Sequence, residues 1–393
     1  MNTKRAPKVR FKGFTDAWEL RKFESIAARA SSISADPTLP RVEYEDIISG
    51  IGLLNKDVKL KGISKPGIVF NQGDILYGKL RPYLHNWFFP SFSGLAVGDF
   101  WVLQPKDADS SFLFRLIQGQ QFDDVANQSI GTKMPRADWN LVSKTLFFVP
   151  TSIDEQALIG RYFRSIDNLI TLHQRKLDKM KELKKAFLNL IFSQKLRFYG
   201  FTDSWELRKL EEVAPLRGGY AFQSNQYANE GIPIVRISNI LSDGSVGGEF
   251  VFHNELKDDE IFMLENGDIV LAMSGATTGK VSILSSEKSC KYYQNQRVGL
   301  FSKTATCNYS FVATIVRSEK FLEQLRDVLV AGAQPNVSAK DIDAFDFSVP
   351  KDVEEQSQIG NFFRTLDRLI TLYQKKIDSS KEMKKILLKN MLI

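Results

Sequence analysis

The sequence contains a tandem duplication whose two copies agree at their ends and differ in their middles. Residues 10–23 (RFKGFTDAWELRKF) and 197–210 (RFYGFTDSWELRKL) are identical at eleven of fourteen positions, at an offset of 187. Residues 149–178 match residues 349–378 at an offset of 200, so the second copy carries about 13 extra residues between its matched ends. A solenoid needs many short and similar units, whereas two long units with different middles indicate one framework carrying two tasks.

The middles predict mixed α/β domains of ordinary size. One trace of common ancestry remains, Gly73-Asp74-Ile75 against Gly267-Asp268-Ile269, at the intermediate offset of 194. Short apolar runs bounded by Gly and Asn predict strands, and longer amphipathic runs predict helices. The predicted strands lie in residues 73–80, 231–240 and 267–273, and the predicted helices in residues 112–128 and 321–332.

The end of each copy predicts one long helix, which covers residues 152–192 in the first copy. Ser152 with Glu155, and Asp352 with Glu355, form a capping-box pattern. Apolar side chains then recur at three- and four-residue steps over four heptads. The predicted seam comprises Ile159, Phe163, Ile166, Ile170 and Leu177 in the first copy, and Ile359, Phe363, Leu366, Ile370 and Ile377 in the second.

The two long helices are predicted to pair with each other. A helix of about 36 residues is roughly 54 Å long, more than a compact domain needs. Antiparallel pairing with pseudo-two-fold symmetry buries both stripes, and polar seam positions such as Lys184 and Lys384 would help to fix the register. The alternative, in which each helix folds back on its own module, remains open.

The predicted class is therefore α+β, with two mixed α/β domains in tandem, each followed by a long helix, and the two helices forming an antiparallel coiled coil. The predicted domain boundaries are 1–150, 151–196, 197–350 and 351–393.

Composition favours an acidic partner in a reducing compartment. The net charge of +7 and the pI near 9.1 favour nucleic acid first and a membrane surface second. Two cysteines exclude a disulfide framework and fit the cytoplasm, while three scattered histidines give a metal site little to build on. The sequence shows neither a signal-peptide pattern nor an apolar run long enough to span a membrane.

No catalytic motif is complete in this sequence. Residues 274–281 (SGATTGKV) have the wrong glycine spacing for a phosphate-binding loop, and Val281 stands where a hydroxyl is required. Neither F-x-G-x-G nor N-P-P-[FY], the patterns of DNA adenine methyltransferases, occurs. Asp57-Val58-Lys59 is a nuclease-like D-x-K fragment without a partner acid. We therefore expect no catalytic residue, metal or cofactor in this chain, and assign any chemistry to a partner.

A set of short motifs recurs in the same order in both copies. The motifs are Trp18-Glu19-Leu20, Val149-Pro150 and Glu155-Gln156, with their copies Trp205-Glu206-Leu207, Val349-Pro350 and Glu355-Gln356. Their order resembles the specificity subunit of type I restriction-modification enzymes over nearly the whole chain. Gln334-Pro335-Asn336 also resembles a family pattern, from which the first copy departs with Met134-Pro135-Arg136.

The resemblance implies two target recognition domains, each reading one half of a split site in double-stranded DNA. It also implies that the paired helices act as a spacer and dock two modification subunits, which methylate adenine with S-adenosylmethionine. Restriction subunits of the full complex would use ATP, and this chain would use neither cofactor. Because the middles differ, the half-sites should differ. The length of the paired helices implies half-sites about 34–36 Å or more apart.

The candidate DNA-binding residues combine cations, amides, hydroxyls and aromatic rings near the predicted strands. A surface or turn role remains the alternative for each of them. They are Lys79, Arg81, Tyr83, His85, Asn86, Lys133 and Arg136 in the first copy, and Ser274, Thr277, Thr278, Lys280, Gln294, Asn295, Gln296 and Arg297 in the second.

Two other functions stay open on the sequence alone. One is a coiled-coil scaffold that binds only proteins. The other is a nuclease or methyltransferase with unrecognised motifs. Binding to random DNA across a salt titration separates the scaffold from a DNA-binding protein, because phosphate contacts give a steep dependence on salt.

Overall fold

The computed structural model describes residues 4–58, 65–128, 133–286, 290–331 and 336–392. The chain divides into two units, one made of residues 1–175 and 374–393, the other of residues 176–373. The division falls inside both long helices. Each unit therefore combines one module, the first part of that module's helix and the last part of the other helix.

The first module is mixed α/β, followed by a long helix. Its helices are α1 (Phe23–Ile26), α2 (Ser110–Leu116), α3 (Gln120–Ala126), α4 (Trp139–Lys144) and the long α5 (Ile153–Phe192). Its strands are β1 (Lys4–Arg5), β2 (Trp18–Lys22), β3 (Ala27–Arg29), β4 (Ile33–Ser34), β5 (Arg41–Val42), β6 (Ile47–Ile48), β7 (Leu53–Leu54), β8 (Gly67–Phe70), β9 (Ile75–Gly78), β10 (Trp87–Phe88), β11 (Gly94–Ala96), β12 (Phe100–Pro105) and β13 (Leu146–Val149).

The second module repeats this plan. Its helices are α6 (Leu210–Val213), α7 (Tyr309–Ile315), α8 (Glu319–Ala331), α9 (Ala339–Asp343) and the long α10 (Val353–Met391). Its strands are β14 (Glu206–Lys209), β15 (Leu216–Arg217), β16 (Ile232–Val235), β17 (Val251–His253), β18 (Met263–Leu264), β19 (Ile269–Ala272), β20 (Val281–Ile283), β21 (Tyr292–Gln294), β22 (Val298–Phe301) and β23 (Asp346–Val349).

The two modules share a sheet topology that their middles do not share as sequence. The first has an antiparallel sheet in the order β10-β9-β12-β3, and the second has the matching order β20-β19-β22-β15. A second sheet in each module contains one parallel pair, β5 with β11 and β16 with β21. Both middles are thus built on one framework.

The short Gly-Asp-Ile match marks the same tight turn before a buried strand in each module. Gly73 and Gly267 adopt φ of +93° and +91°, a conformation that glycine tolerates best. The carboxylates of Asp74 and Asp268 accept a backbone N–H three residues earlier, each at 2.8 Å. Burial raises the pKa of Asp74. The match survives because backbone geometry demands both residues.

The residues of the predicted seam pack both on a module and on the other long helix. Ile159 and Phe163 belong to the core of the first unit together with Trp18 and Phe112, and Met391 at the end of α10 joins the same core. Because the start of α5 meets the end of α10, the helices run antiparallel within this unit. The start of each long helix therefore packs on its own module and on the other helix, which combines the two arrangements that the sequence left open.

The second unit has the corresponding arrangement. Ile359 and Phe363 of α10 lie in its core, and Phe187 of α5 packs edge-on against Phe362 with ring centroids 5.2 Å apart. The remaining predicted seam residues are buried or half-buried, namely Ile166, Ile170, Leu177, Leu366, Ile370 and Ile377.

Two sequence predictions of detail need correction. Residues 112–128 form two helices, α2 and α3, which are separated near Gly119. Only half of the capping box at Ser152 is present, because its Oγ accepts the N–H of Glu155 at 3.3 Å while the carboxylate of Glu155 binds Arg10 instead. The carboxylate gains a charged partner there, which makes the stronger hydrogen bond.

Glycine is required where each long helix crosses its module. A Cβ on Gly160 would come within 2.7 Å of the carbonyl carbon of Ser111 and clash with its hydroxyl. A Cβ on Gly360 would come within 2.6 Å of the backbone nitrogen of Phe311. We expect Gly160→Ala to lower the free energy of unfolding by about 1–3 kcal/mol in urea denaturation. The control is Gly218→Ala, because a Cβ on Gly218 would meet nothing within 4 Å. Gly200 is equally open but has a φ of +95°, which would strain an alanine. An equal loss in both variants would contradict this explanation.

Candidate nucleic-acid interface

In the first module, three loops meet at one end of the β10-β9-β12-β3 sheet. We call residues 79–86, 97–99 and 133–137 the first loop face. Lys79 donates its backbone N–H to the carbonyl of Asp99 at 2.9 Å, and its own carbonyl accepts the N–H of Ala137 at 2.8 Å. The N–H of Arg81 is bound by the carbonyl of Pro135 at 2.8 Å. The candidates from the first copy therefore lie on one connected surface.

The second module brings its loops together in the same way. We call residues 273–280, 295–297 and 336–337 the second loop face. Met273 donates to the carbonyl of Arg297 at 3.0 Å and accepts from Val337 at 2.9 Å. Residues 79–86 connect β9 to β10, and residues 273–280 connect β19 to β20. Clusters with unrelated sequences thus occupy equivalent positions in the two modules.

On the first loop face the cations differ in availability. Asp99 binds Arg136 at 2.9 Å and lies 3.6 Å from the Nζ of Lys79, so the charges of both are partly neutralised. Arg81 has φ of +50° and is exposed, and no ion pair of its side chain occurs within the described residues. Tyr83 and Lys133 are also exposed. Arg81 is the cation on this face best placed to meet an external partner.

Two candidates of the first face have internal partners. The Nε2 of His85 lies 2.8 Å from a carboxylate oxygen of Asp123, and its ring stacks on Trp87 with centroids 4.8 Å apart. Asn86 is buried, and its Oδ1 accepts a hydrogen bond from the hydroxyl of Ser49 at 2.7 Å. The structure therefore gives Asn86 a structural role in place of the predicted base contact.

The threonine hydroxyls in the turn of the second face are bound to backbone carbonyls of the module. Ser274 is buried, which corrects its prediction as a contact residue. Thr277 donates to the carbonyl of Ile237 at 3.3 Å, and Thr278 donates to that of Gly275 at 2.7 Å. Lys280 is half-buried beside a cavity of about 360 Å³ that Arg317 also lines.

The amide cluster divides into one buried residue and three at the surface. Gln294 is fully buried and donates through its Nε2 to the carbonyls of Arg217 and Val298 at 2.8 and 2.7 Å. It therefore holds strands together and is not placed to read a base, contrary to the sequence prediction. Asn295 is half-buried, with its Oδ1 3.3 Å from the backbone nitrogen of Arg297, while Gln296 and Arg297 are exposed.

One equivalent position carries opposite charges in the two modules. Asp99 immediately precedes β12, and Arg297 immediately precedes β22, in the same backbone hydrogen-bonding position. On the first face this residue is an acid that binds two cations. On the second face it is an exposed cation for which the described part of the chain shows no ion pair. The backbone is shared and the chemistry that it presents differs.

Some sequence features lie outside the described residues or have no structural support. Gln334, Pro335 and Lys59 are outside them, so their motifs gain no structural interpretation. In the described ranges, no three His, Cys, Asp or Glu side chains are grouped as a metal site would require. No described helix is long and apolar enough to cross a membrane.

Comparisons with known proteins point to one family. Residues 202–380 match the type I restriction modification DNA specificity domain. The MjaVIII specificity subunit of Methanocaldococcus jannaschii is 24% identical over 357 residues, which cover 85% of this chain and 81% of that protein. The solved S subunit of a type I restriction-modification system from M. genitalium superposes with a TM-score of 0.68 at 14% identity, over 99% of both chains. The chain is therefore similar to type I specificity subunits over most of its length.

Other relatives agree over shorter stretches or with lower similarity. The EcoDI specificity subunit of Escherichia coli is 23% identical over 188 residues, which cover 46% of this chain and 42% of that protein. A chain from a structure of a type I restriction-modification system gives a TM-score of 0.52 at 16% identity, covering 94% of this chain and 96% of that one. The structural matches show a shared fold.

The repeated motifs of this chain join each module to its helix. Arg10 binds the buried carboxylate of Glu155 through two nitrogens at 2.6 and 2.7 Å, and Arg197 binds Glu355 at 2.9 and 2.7 Å. These bonds raise the pKa of Arg10 and of Arg197. Sequence reasoning missed both pairs, although the matched position of the two arginines in the repeat was a usable signal.

The glutamine of the same motif closes the junction. Gln156 donates to the carbonyl of Pro150 and accepts the backbone N–H of Asp109, both at 2.8 Å. Gln356 makes the equivalent bonds to Pro350 and Asn308 at the same distances. The Val-Pro-x-x-x-x-Glu-Gln motif therefore anchors each helix to its module, which explains why the ends of the two copies stay alike.

Proposed function

We propose that this chain is a type I specificity subunit, which binds double-stranded DNA without catalysing a reaction. Each loop face reads one half of an asymmetric, interrupted site, and the long helices set the spacing. The observation that carries the proposal is the equivalence of the two loop faces in backbone position together with their difference in side chains. A shared framework with different residues at its tips is what two different half-sites require.

The chemistry is assigned to partners. We propose that two modification subunits dock on the helical framework and use S-adenosylmethionine, and that restriction subunits of a full complex use ATP. The absence of both methyltransferase sequence patterns supports this division. The purified chain alone should give no transfer of a methyl group to DNA. Methylation without an added subunit would contradict the proposal.

Selection from a randomised DNA duplex tests the DNA-binding function. The purified chain should enrich two short blocks of defined sequence, separated by a spacer of fixed length and undefined sequence. Affinity should fall steeply with salt because phosphate contacts release counterions. Binding without any enriched block would remove the reading function, and no binding at low salt would favour the protein-only scaffold.

Substitution of one arginine on each face should affect one half-site each. We expect Arg81→Ala to cost about 1–3 kcal/mol on the selected site and to relax the sequence preference within one block only. Arg297→Ala, the matched variant on the second face, should relax the other block. Repeated selections measure the sequence preference of each variant, and titrations of the selected duplex measure its affinity. An equal loss of affinity on unrelated DNA would identify a phosphate contact in place of base reading.

A further inference from the structure

A hairpin beside the first loop face carries exposed apolar side chains. It consists of β6, β7 and the turn between them, residues 47–54. The N–H of Gly50 donates to the carbonyl of His85 at 3.0 Å, and the hydroxyl of Ser49 binds Asn86 at 2.7 Å. The hairpin is therefore fixed against loop 79–86, and its outer side chains extend the same surface.

Exposed apolar side chains lie on the same connected segments as Arg81. Met134 adjoins Pro135, whose carbonyl binds the N–H of Arg81, and so belongs to the same surface. Exposed apolar groups that lie together mark binding sites, because water contact with them is unfavourable. We call this set the apolar rim: Ile48, Ile51, Leu53, Tyr83, Leu84 and Met134, with exposed fractions of 38, 42, 39, 45, 41 and 52%.

The fold does not require apolar residues at this place. The equivalent segment of the second module runs from Ile240 to Val246, which form an antiparallel bridge. Its turn is fixed in a similar way, since the carbonyl of Gly244 accepts the N–H of Ile283 at 3.0 Å. That turn carries Asp243 and Ser245 where the first module carries Ile51 and Leu53, although Leu241 corresponds to Ile48. The exposed apolar residues are therefore specific to the first module, and we attribute them to its own binding function.

We infer that the apolar rim contacts the 5-methyl groups of thymines in the major groove, so that the first half-site contains thymine positions read through their methyls. This inference rests on the proposed DNA-binding function. The thymine methyl is the apolar feature of the major-groove edges, and apolar side chains recognise it by contact. Exposed Arg81 and Lys133 lie among the rim residues, and the nearby carboxylates of Asp99 and Asp123 bind residues of the face itself. This charge pattern suits a polyanion.

Replacement of thymine by deoxyuridine tests the inference because it removes the methyl and leaves the base-pairing edge intact. A randomised duplex pool is amplified once with dTTP and once with dUTP, and each is selected with the full chain. In the thymine pool, one block should show a preference for thymine. In the uracil pool, that preference should weaken about four-fold for each contacted methyl. The preferences within the other block should remain.

Variants locate the effect on the rim. Ile51→Ser and Leu84→Ser should each make binding indifferent to thymine or uracil at one position, in titrations with the selected duplex in both forms. Leu146→Ser, an exposed site on β13, and Ser242→Ala in the second module are the controls and should keep the wild-type difference. Thermal unfolding verifies that each variant is folded.

The outcomes separate this inference from the proposed function. Enrichment of two blocks with equal binding of thymine and uracil duplexes would overturn the methyl-reading role and leave the DNA-binding function intact. A thymine–uracil difference that survives in both rim variants would also overturn it. Failure to enrich any block would overturn the proposed function itself. If the rim variants lost binding to a protein or a lipid while their DNA selection stayed unchanged, the rim would be a site for that partner, and the methyl-reading role would be overturned.

Discussion

Replacing Asp167 with alanine should lower the free energy of unfolding of the first unit by about 3–5 kcal/mol, because it leaves two nearly buried cations without a counterion. Asp167 binds Arg115 and Lys384, each at 2.7 Å, and their side chains are only 4% and 15% exposed. Lys384 lies on α10, so the pair joins the two long helices within this unit. Urea unfolding followed by tryptophan fluorescence reports the change, since four of the five tryptophans lie in the first unit.

The second unit provides the matched control. Asp367 binds Lys184 at 2.5 Å and Arg317 at 2.9 Å, in the same arrangement, but both cations are 21% exposed. Because water screens this pair of contacts more, we expect Asp367→Ala to cost roughly half as much as Asp167→Ala. A larger loss in the second unit would show that burial does not set the strength of these contacts.

The pH dependence of Asp167→Asn gives an independent readout. Burial lowers the pKa of Lys384 below its ordinary value of 10.5, and Asp167 opposes that shift. Without Asp167 the folded-state pKa falls further, so the unfolded chain binds more protons between that pKa and 10.5. Stability relative to wild type should therefore recover as pH rises toward 10.5. Asp167→Asn with Lys384→Met should lack this recovery, and a flat difference in the single variant would contradict the mechanism.

Replacing Glu155 with alanine is expected to cost a similar amount, about 3–5 kcal/mol, and to loosen the junction between the first module and α5. Its side chain is only 1% exposed and holds Arg10 with two hydrogen bonds, while the indole N–H of Trp18 lies 3.4 Å away. The loss leaves Arg10 without its partner at a site that is mostly closed to water. Urea unfolding measures the free energy, and amide hydrogen exchange at the start of α5 measures the loosening.

A more conservative variant and the second copy serve as controls. Glu155→Gln keeps the shape and the acceptor for Trp18, so it should cost less than Glu155→Ala. Glu355→Ala removes the equivalent partner of Arg197 and should loosen the start of α10 instead. If either alanine variant changed amide hydrogen exchange equally at the starts of α5 and α10, the two junctions would not act separately.

The aspartate–lysine pairs also explain the polar positions in the predicted seam. The sequence predicted that Lys184 and Lys384 interrupt an apolar stripe and help to fix the register. In the structure each lysine faces the aspartate of the other helix, Lys184 with Asp367 and Lys384 with Asp167. The same register thus holds in both units. A slip by one residue would separate buried charges from their partners, which is costly.

Much of the candidate site could be predicted because turns and strands are local. The run Gly-Asp-Ile predicts a turn and a buried strand in both modules, and the cations and amides of the loops that follow indicate a DNA-binding surface. The predictions that were wrong concern the burial of individual side chains. Asn86, Ser274 and Gln294 have suitable chemistry for DNA, yet the fold buries them. There Asn86 is hydrogen-bonded to Ser49, 37 residues away, and Gln294 to Arg217 and Val298, 77 and 4 residues away.

The sequence by itself determined the duplication, the two long helices and their seam, because internal repeats and heptad periodicity are properties of the chain's own order. It also determined that the ends of the copies form the framework and that the middles differ. Only the tertiary structure decided that both middles share one sheet topology, that the two loop clusters occupy equivalent positions, and that Glu155 binds Arg10 in place of its helix end. Those facts depend on contacts between residues distant in sequence, which no local pattern encodes.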